Sequence, residues 1–202
     1  INALLGEINI KNLYVSNLPT GNEIVNSIEH YDFQTKILAK DDIIYLDNNA
    51  KLSIIWPDRK RNLSQYNQNN LSLVSLMSYK SFDILFTGDV EREVEYIIND
   101  SIISDIDILK VSHHGSNTSS TEGFLANTMP KYSVISVGTN NFYGHPNEEI
   151  LSRLDDINSI IYRTDEMGLI KIILNKNDSI YFWKILYDRL LCLILFSIIF
   201  TD

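Results

Sequence analysis

Short apolar runs separated by polar turns fill most of the chain and predict a succession of strands and short helices. Alternating or continuous apolar runs favour strands, whereas apolar residues at helical spacing favour helices. The predicted strands are residues 12–16, 35–39, 42–47, 51–56, 71–79, 82–89, 105–111, 132–138, 159–164, 168–174 and 179–185. The predicted helices are residues 21–31, 90–98, 119–128 and 145–156. This mixture predicts an α/β (α+β) fold in which helices cover sheets.

Local signals locate several boundaries of these elements. Ser119, with Glu122 three residues later, fits a capping box, and Asn147 is the simplest cap for the helix that follows it. The residues around Lys80 predict a hairpin between two strands. Gly115 and the hydroxyl residues after it predict the start of a helix, whose N-terminal amides favour an anion such as phosphate.

Composition limits the function. The chain has 202 residues and a formal net charge of −9, so bulk charge cannot bind it to nucleic acid. A phosphate polymer would need bound cations or a local cluster to offset that acidity. Cys192 is the one cysteine, which excludes an internal disulfide and a cysteine-based metal site.

The last residues are apolar and leave two interpretations open. The run "LLCLILFSIIF" at residues 190–200 is shorter than the roughly 20 residues that span a bilayer. It predicts either a buried terminal helix or the start of a membrane segment. The sequence reads as a piece of a longer chain, with one domain at 1–186 and a hydrophobic tail at 187–202.

Candidate chemistry follows three apolar strands directly. "ILFTGD" ends at Asp89, "ILKVSHHG" ends in His113 and His114, and "NNFYGHP" contains His145. Strands that end at the same edge of a sheet bring such residues together. Imidazole and carboxylate are suitable ligands for Zn²⁺, Mn²⁺ or Fe²⁺. The sequence therefore predicts a metal site at this edge.

Each signal also has an ordinary structural interpretation when taken alone. A single "TGD" is usually a turn, and a histidine before proline is usually a solvated loop residue. The stretch Asn69–Ser72 is more often a loop cap than a site. The pair His113–His114 is harder to explain structurally, because two imidazoles at a buried strand end need polar partners.

Five stretches in order carry a more specific signal: "NNLSLV", "ILFTGDVE", "DILKVSHHGSNTSS", "YGHPNEEIL" and "YRTDEMGLIKI". Together they resemble the metallo-β-lactamase-type hydrolase domain of ComEC-type DNA-uptake proteins, over about residues 8–185. The resemblance implies a four-layer αββα sandwich with a site for two divalent cations, zinc or manganese. It also implies a phosphodiester substrate such as DNA, and a location on the extracytoplasmic face of a bacterial membrane or outside the cell.

The resemblance assigns roles by position. Asp89 matches a bridging metal ligand and His114 a second ligand, while His113 and His145 would act on the substrate in catalysis. The residues matched to substrate binding are Asn69, Ser72 and Ser116. Asp165 in "YRTD" would contact the metal ligands without binding the metal itself.

One feature departs from the family pattern. Its first metal motif, an "HxHxDH"-like stretch, is absent, and no histidine precedes His30. The first strands and most metal ligands are therefore expected to be missing, so that this chain would bind at most one cation, weakly. The alternatives to a hydrolase are a non-catalytic truncated remnant and a membrane-associated binding module. No protein partner other than a membrane-protein parent chain is implied.

Overall fold

The computed structural model describes residues 11–16, 34–102, 105–175, 180–185 and 197–201. The strands are Asn12–Ser16 (β1), Gln34–Leu38 (β2), Ile43–Tyr45 (β3), Ala50–Trp56 (β4), Val74–Tyr79 (β5), Phe82–Phe86 (β6), Ile108–Lys110 (β7), Tyr132–Ile135 (β8), Ile160–Arg163 (β9), Leu169–Asn175 (β10), Ile180–Ile185 (β11) and Ser197–Thr201 (β12). The α-helices are Arg92–Ile98 (α1), Glu122–Thr128 (α2), Glu148–Asp156 (α3) and Thr164–Met167 (α4). Single 3-10 turns cover Leu63–Gln65, Asn69–Leu71, Asn99–Ser101 and Ser112–Gly115.

The largest sheet has seven strands, in the order β3-β4-β5-β6-β7-β8-β9. Its first part, β3 to β6, is antiparallel. Its second part, β6 to β9, is parallel. A smaller sheet has the order β11-β10-β12, and β1 pairs with β2 in parallel. The carboxyl ends of β6, β7, β8 and β9 therefore lie along one edge of the large sheet.

Two apolar cores lie on opposite faces of that sheet, because successive side chains of a strand point to opposite sides. Leu85 and Leu109 pack with residues of α1, α2 and α3. Ile84 and Ile108, one position earlier on the same strands, pack against residues of β10 and β11. All four are fully buried. The β6 and β7 strands are thus buried on both faces, which explains their nearly continuous apolar sequence.

The predicted α/β class is confirmed. The described part of the chain contributes a layer of helices, the large sheet and a second sheet. A second outer layer of helices, which the four-layer sandwich would require, is not found among the described residues. The predicted hairpin at Lys80 is confirmed by the antiparallel pairing of β5 and β6, and Asn147 caps α3 by accepting from the Glu149 N–H.

Two predictions about helix starts are wrong. No helix begins at Gly115, which ends a 3-10 turn; α2 begins only at Glu122. The cap of α2 is Thr121, whose hydroxyl accepts from the Phe124 N–H, and not Ser119. The Ser119 hydroxyl is buried and donates to backbone carbonyls of the preceding turn, so it cannot form the predicted capping box.

The apolar terminal run also differs from the predicted helix. Residues 197–201 form β12, which pairs in parallel with β10. Among the described residues, no helix has both the length and the apolar character needed to cross a membrane. The predicted helix at 21–31, including His30, and residues 187–196 lie outside the described residues. The division of the chain at residue 186 stays a prediction.

Candidate functional site

The parallel edge of the large sheet collects the predicted residues, each in the loop that follows a strand. Asp89 follows β6, the pair His113–His114 follows β7, His145 follows β8, and Asp165 follows β9. This arrangement is the one expected for parallel strands, whose carboxyl ends meet at one edge. The residues were therefore brought together by the topology of the sheet.

A tight turn at Gly88 positions Asp89. Gly88 has a φ of +57°, and a Cβ placed there would lie 2.6 Å from the Cβ of Ser72. The backbone N–H of Asp89 donates to the Ser72 hydroxyl at 3.1 Å, and the His113 N–H donates to the Gly88 carbonyl at 3.2 Å. Close approach and backbone conformation both require glycine here. Ser72 therefore contributes to the site by holding this turn.

The two histidines occupy an unusual backbone conformation. His113 and His114 have φ values of +46° and +58°, in the left-handed region that residues with a Cβ rarely adopt. Gly115 follows at +81°, and a Cβ there would lie 2.6 Å from the Cβ of Pro146. The Asn147 N–H donates to the Gly115 carbonyl at 2.9 Å, which joins this turn to the loop of His145. Such local strain is characteristic of functional turns.

His114 faces Asp89. Its Nε2 lies 3.6 Å from Asp89 Oδ1, and its Nδ1 lies 2.6 Å from the Ser136 carbonyl oxygen. Because a carbonyl only accepts, Nδ1 donates, which leaves the Nε2 lone pair on the side of Asp89. Both side chains are about one-third exposed, at 34% and 37%. An ion from solvent can therefore reach both donor atoms.

A lysine lies near the same carboxylate oxygen of Asp89. The Lys110 ammonium lies 3.7 Å from Asp89 Oδ1 and donates to the Gly88 carbonyl at 2.9 Å. Burial lowers the pKa of Lys110, and the Asp89 carboxylate opposes that change. The ammonium provides a positive charge at the strand end and holds the carboxylate in place.

His113 faces a group of polar side chains and not Asp89. Its Nδ1 lies 3.5 Å from Glu91 Oε1 and 3.3 Å from the Thr118 hydroxyl. Its Nε2 lies 3.4 Å from the amide nitrogen of Asn69. The ring is mostly buried, with 22% of the side chain exposed. The neighbouring histidines thus have different partners. Asn69 contacts His113, and its predicted role in substrate binding stays a prediction.

The Glu91 carboxylate is surrounded by hydrogen-bond donors. Asn67 donates to it at 3.0 Å, Asn69 at 3.3 Å and the Thr118 hydroxyl at 3.3 Å. Burial is the largest single influence and acts to raise the pKa of Glu91. The hydrogen bonds from the two asparagines, the nearby His113 and the Thr118 hydroxyl outweigh it and hold the pKa below its usual value. Glu91 is therefore held as an anion.

His145 lies on the far side of His113. The two rings are 5.9 Å apart between centroids, and Tyr143 stacks on His145 at the same separation with 17° between the ring planes. Burial and the neighbouring His113 and His114 lower the pKa of His145. A neutral imidazole is therefore favoured here, which can accept or share a proton near neutral pH.

Two predicted residues have structural partners. Ser116 is buried, and its hydroxyl accepts from the Thr118 N–H at 3.3 Å, so it shapes the loop that carries Thr118. Asp165 forms an ion pair with Arg163 at 2.6 Å, within its own short turn. The structure thus gives each residue a local role, and their predicted roles in substrate binding and behind the ligands stay predictions.

The described side chains supply only part of a metal centre. Asp89 and His114 are a suitable pair of ligands by type and separation. No group of three His, Cys, Asp or Glu side chains that could hold a metal ion occurs within the described residues. The lysine beside Asp89 further reduces the attraction for a cation. These residues therefore do not form a complete metal site by themselves.

Sequence reasoning missed three residues that contact the histidines and Asp89. The sequence pattern places Glu91 in a helix, Lys110 in a buried strand and Thr118 in a run of hydroxyl residues, without a role in the site. Their closeness in sequence could have identified them, since each lies within five residues of a predicted site residue. The contacts of Glu91 with Asn67 and Asn69 span 24 and 22 residues of sequence, which local patterns do not reveal.

Sequence comparison relates the chain to three competence proteins. It is 39% identical over 105 residues to ComE operon protein 3 of Bacillus subtilis, 33% over 104 residues to recombination protein 2 of Haemophilus influenzae, and 31% over 117 residues to competence protein ComA of Neisseria gonorrhoeae. The chain is homologous to ComEC-type competence proteins. The aligned regions cover 52%, 52% and 57% of this chain but 14%, 13% and 16% of those proteins. No protein-family model matches the chain.

Structural comparison finds proteins described as hydrolases among the neighbours of this chain. A protein of Parabacteroides distasonis described as a metal-dependent hydrolase matches with a TM-score of 0.46 and 12% identity, over 76% of each chain. A protein of Thermotoga maritima described as a Zn-dependent hydrolase of the metallo-β-lactamase superfamily matches with a TM-score of 0.41 and 10% identity. That match covers 96% of this chain and 83% of the other.

Proposed function

We propose that this chain carries part of the active site of a metal-dependent phosphodiesterase of the ComEC type, with DNA as its substrate. Homology to three competence proteins supports the biological setting. The gathering of Asp89, His113, His114 and His145 at one sheet edge supports the chemistry. Phosphodiester cleavage needs positive charge near the phosphate and groups that move protons, and the edge offers candidates for both.

The observation that carries this proposal is the paired geometry of Asp89 and His114. Their facing atoms are 3.6 Å apart, and the Ser136 carbonyl directs the Nε2 lone pair of His114 toward the carboxylate. A carbonyl that fixes the tautomer of an imidazole is the usual support of a metal-binding histidine. A divalent cation held by this pair would offset part of the net charge of −9 and polarise a phosphate oxygen.

The remaining site residues act on the substrate side. His113 and His145 lie next to each other at the sheet edge. We propose that they contact the phosphate and the leaving oxygen. Neutral His145 would share a proton with an oxygen of the scissile group. Lys110 keeps Asp89 in position, and the Ser72 hydroxyl keeps the turn below it closed.

Cation binding is the first test. At ten times its Kd, a bound cation adds about 1.4 kcal/mol of stability, which raises the Tm of a chain of this length by roughly 3–6 °C. We expect Mn²⁺ or Zn²⁺ to raise the Tm of the wild-type chain, and Asp89→Asn and His114→Gln to abolish the rise. Asp83→Asn on the same strand is the matched control, because Asp83 hydrogen-bonds Ser78 at the hairpin and not the site.

A wild-type Tm that does not respond to either cation would contradict the proposal for this chain. It would favour the second candidate function, a non-catalytic remnant of the domain. Two observations already favour that candidate: the described residues provide no group of three metal ligands, and Lys110 competes for the Asp89 carboxylate. Cleavage of single-stranded DNA by the wild-type chain but not by His114→Gln would reject it.

The setting of the domain is part of the same proposal. We propose a location on the extracytoplasmic face of a bacterial membrane, or outside the cell, and homology to the competence proteins supports it. A membrane-associated binding module remains testable through residues 187–202. We expect the full chain to sediment with vesicles of anionic phospholipid only if this tail carries the attachment, so a variant that ends at residue 186 should then stay in the supernatant.

A further inference from the structure

The polar group around His113 is more extensive than a substrate-facing histidine requires. Three side chains from separate stretches contact the imidazole ring, namely Asn69, Glu91 and Thr118. Two more hold those partners: Asn67 donates to Glu91, and the Ser116 hydroxyl lies 3.1 Å from that of Thr118. Each ring nitrogen has its own neighbour, so the hydrogen bonds around them decide which nitrogen carries the proton.

The Nδ1 side of the ring faces acceptors. Glu91 is a carboxylate and can only accept. The Thr118 hydroxyl lies 3.3 Å from Glu91 Oε1 and 3.1 Å from the Ser116 hydroxyl. When its one hydrogen is directed to either of these acceptors, its oxygen accepts from His113. Nδ1 lies 3.3 Å from this oxygen and 3.5 Å from Glu91 Oε1. A proton on Nδ1 satisfies both neighbours, whereas a lone pair there would face two acceptors.

The Nε2 side of the ring faces a donor. The Asn69 amide nitrogen lies 3.3 Å from Glu91 Oε1 and 3.4 Å from His113 Nε2. An amide nitrogen donates through two hydrogens and accepts through none. One hydrogen is directed to Glu91, which leaves the other for His113, so Nε2 must be the acceptor. Both sides of the ring thus independently select the same tautomer.

We infer that Glu91 is a positioning residue that holds His113 in the Nδ1–H tautomer, so that the Nε2 lone pair accepts from the Asn69 amide. Asn67 holds the second carboxylate oxygen of Glu91 at 3.0 Å, and the Glu91 backbone N–H donates to the buried Asn70 amide oxygen at 2.7 Å. These contacts fix the carboxylate before any substrate arrives. Because Nε2 then carries no hydrogen, a substrate group can bond to it only as a donor that takes the place of the Asn69 amide.

This inference changes the role given to His113 in the proposed function, on which its catalytic meaning rests. A donor would stabilise charge on a phosphate oxygen, whereas an acceptor would orient or deprotonate a hydroxyl or a water molecule. The tautomer itself is a property of the folded chain and does not depend on turnover. The inference and the proposed function can therefore fail separately.

The test is NMR of the full chain labelled with ¹⁵N at histidine. Long-range ¹H–¹⁵N spectra at pH 8.5, well above the pKa of an unperturbed imidazole, distinguish the two neutral tautomers. His113→Gln assigns the signal. We expect wild-type His113 to be Nδ1–H, although free histidine favours Nε2–H. In Glu91→Gln, which keeps the shape but loses one acceptor and the charge, we expect a mixture of tautomers or the Nε2–H form.

The control is Glu122→Gln, which removes the same charge from an exposed position at the start of α2. It should leave the His113 signal unchanged. Wild-type His113 in the Nε2–H form, or an unchanged tautomer in folded Glu91→Gln, would overturn the inference. The wild-type spectrum decides the first point even if Glu91→Gln does not fold. DNA cleavage by a chain with Nε2–H His113 would leave the proposed function and reject only the inference.

Discussion

The two halves of the large sheet contribute to the same apolar core, but their edges are very different. In the antiparallel half, from β3 to β6, successive turns lie at opposite edges, and polar contacts are local, such as the Ser78 hydroxyl with Asp83 at 2.7 Å. In the parallel half, from β6 to β9, every strand ends at the same edge. There Asp89, the two adjacent histidines and His145 meet although 56 residues separate the first from the last.

The difference shows that the parallel strand order brings reactive side chains to one edge of the sheet, whereas apolar packing alone does not. Met77 on β5 and Ile108 on β7 belong to the same core, so both halves are part of one fold. Among the described residues, glycine turns, left-handed histidines and a buried carboxylate, Glu95, occur only in the parallel half. Substitutions that affect these turns or this carboxylate should therefore lower the free energy of unfolding much more than similar substitutions in the antiparallel half.

The largest combined effect, on stability and on cation binding, is expected from Gly88→Ala. A left-handed residue with a Cβ costs about 1–2 kcal/mol, and overpacking against Ser72 adds about 1–3 kcal/mol. We expect a loss of roughly 2–5 kcal/mol in the free energy of unfolding, measured with urea, together with loss of the cation-induced rise in Tm. Gly123→Ala is the matched control, because Gly123 lies in α2 and a Cβ there contacts nothing within 4 Å.

The control should behave in the opposite direction. Alanine in a helix is more stable than glycine by about 0.5–1 kcal/mol, so Gly123→Ala should stabilise the chain slightly. A cost for Gly88→Ala below about 0.5 kcal/mol would show that the turn tolerates a Cβ. The contrast between the halves would then not rest on this glycine.

The next effect concerns Glu95, a fully buried carboxylate on α1. It accepts from the backbone N–H groups of Ser120 and Thr121, at 2.5 Å and 2.9 Å, and so ties α1 to the loop after the histidines. Glu95→Ala leaves the buried Ser120 N–H and the partly buried Thr121 N–H without this partner, at about 1–3 kcal/mol each. We expect a loss of roughly 2–6 kcal/mol by urea unfolding. Exposed Glu93→Ala, which loses one hydrogen bond from Asn70, should cost about 0.5–1.5 kcal/mol.

The same carboxylate predicts a pH dependence. Burial raises the pKa of Glu95 above its ordinary value of 4.5, although the two backbone hydrogen bonds oppose this. The folded state therefore holds the proton more tightly, and the stabilisation it gains from that proton falls as pH rises from 4.5 through the folded pKa. Wild-type stability should thus decline relative to Glu95→Gln over this range. A difference that stays constant with pH would contradict the raised pKa.

How far the sequence predicts this molecule depends on the range of the interaction. The hairpin at Lys80 and the Asn147 cap each depend on a few adjacent residues, and both are located correctly. Strands β6 and β7 end at Phe86 and Lys110, three residues and one residue earlier than predicted. Gathering of the strand ends follows from parallel pairing, which a run of strand–helix units favours. These features need only local pattern and one rule of topology.

The features that escaped prediction arise from distant contacts. The left-handed turn of His113 and His114 is held from Gly88 and Asn147, and nothing in "SHHGS" itself excludes the helix expected there. Glu91 becomes a partner of His113 only because Asn67 and Asn69 approach from an earlier loop. Partners that fold in from elsewhere select among local conformations of similar energy, and a single sequence does not reveal them.

The smallest effect is expected from Lys80→Gly in the antiparallel half, the reverse of the change at Gly88. Lys80 has a φ of +53°, but it is exposed, and its ammonium lies 5.1 Å from the Tyr79 ring centroid. Glycine relieves about 1–2 kcal/mol of left-handed strain. It also frees the unfolded chain by about 0.5–1 kcal/mol and loses an exposed cation–π contact of about 0.5–1 kcal/mol. These contributions nearly cancel, so urea unfolding should change by less than about 1 kcal/mol and the response to Mn²⁺ should not change. A loss above about 2 kcal/mol would mean that the hairpin also depends on one particular residue, and the contrast between the two halves would then reflect the number of such residues and not their kind.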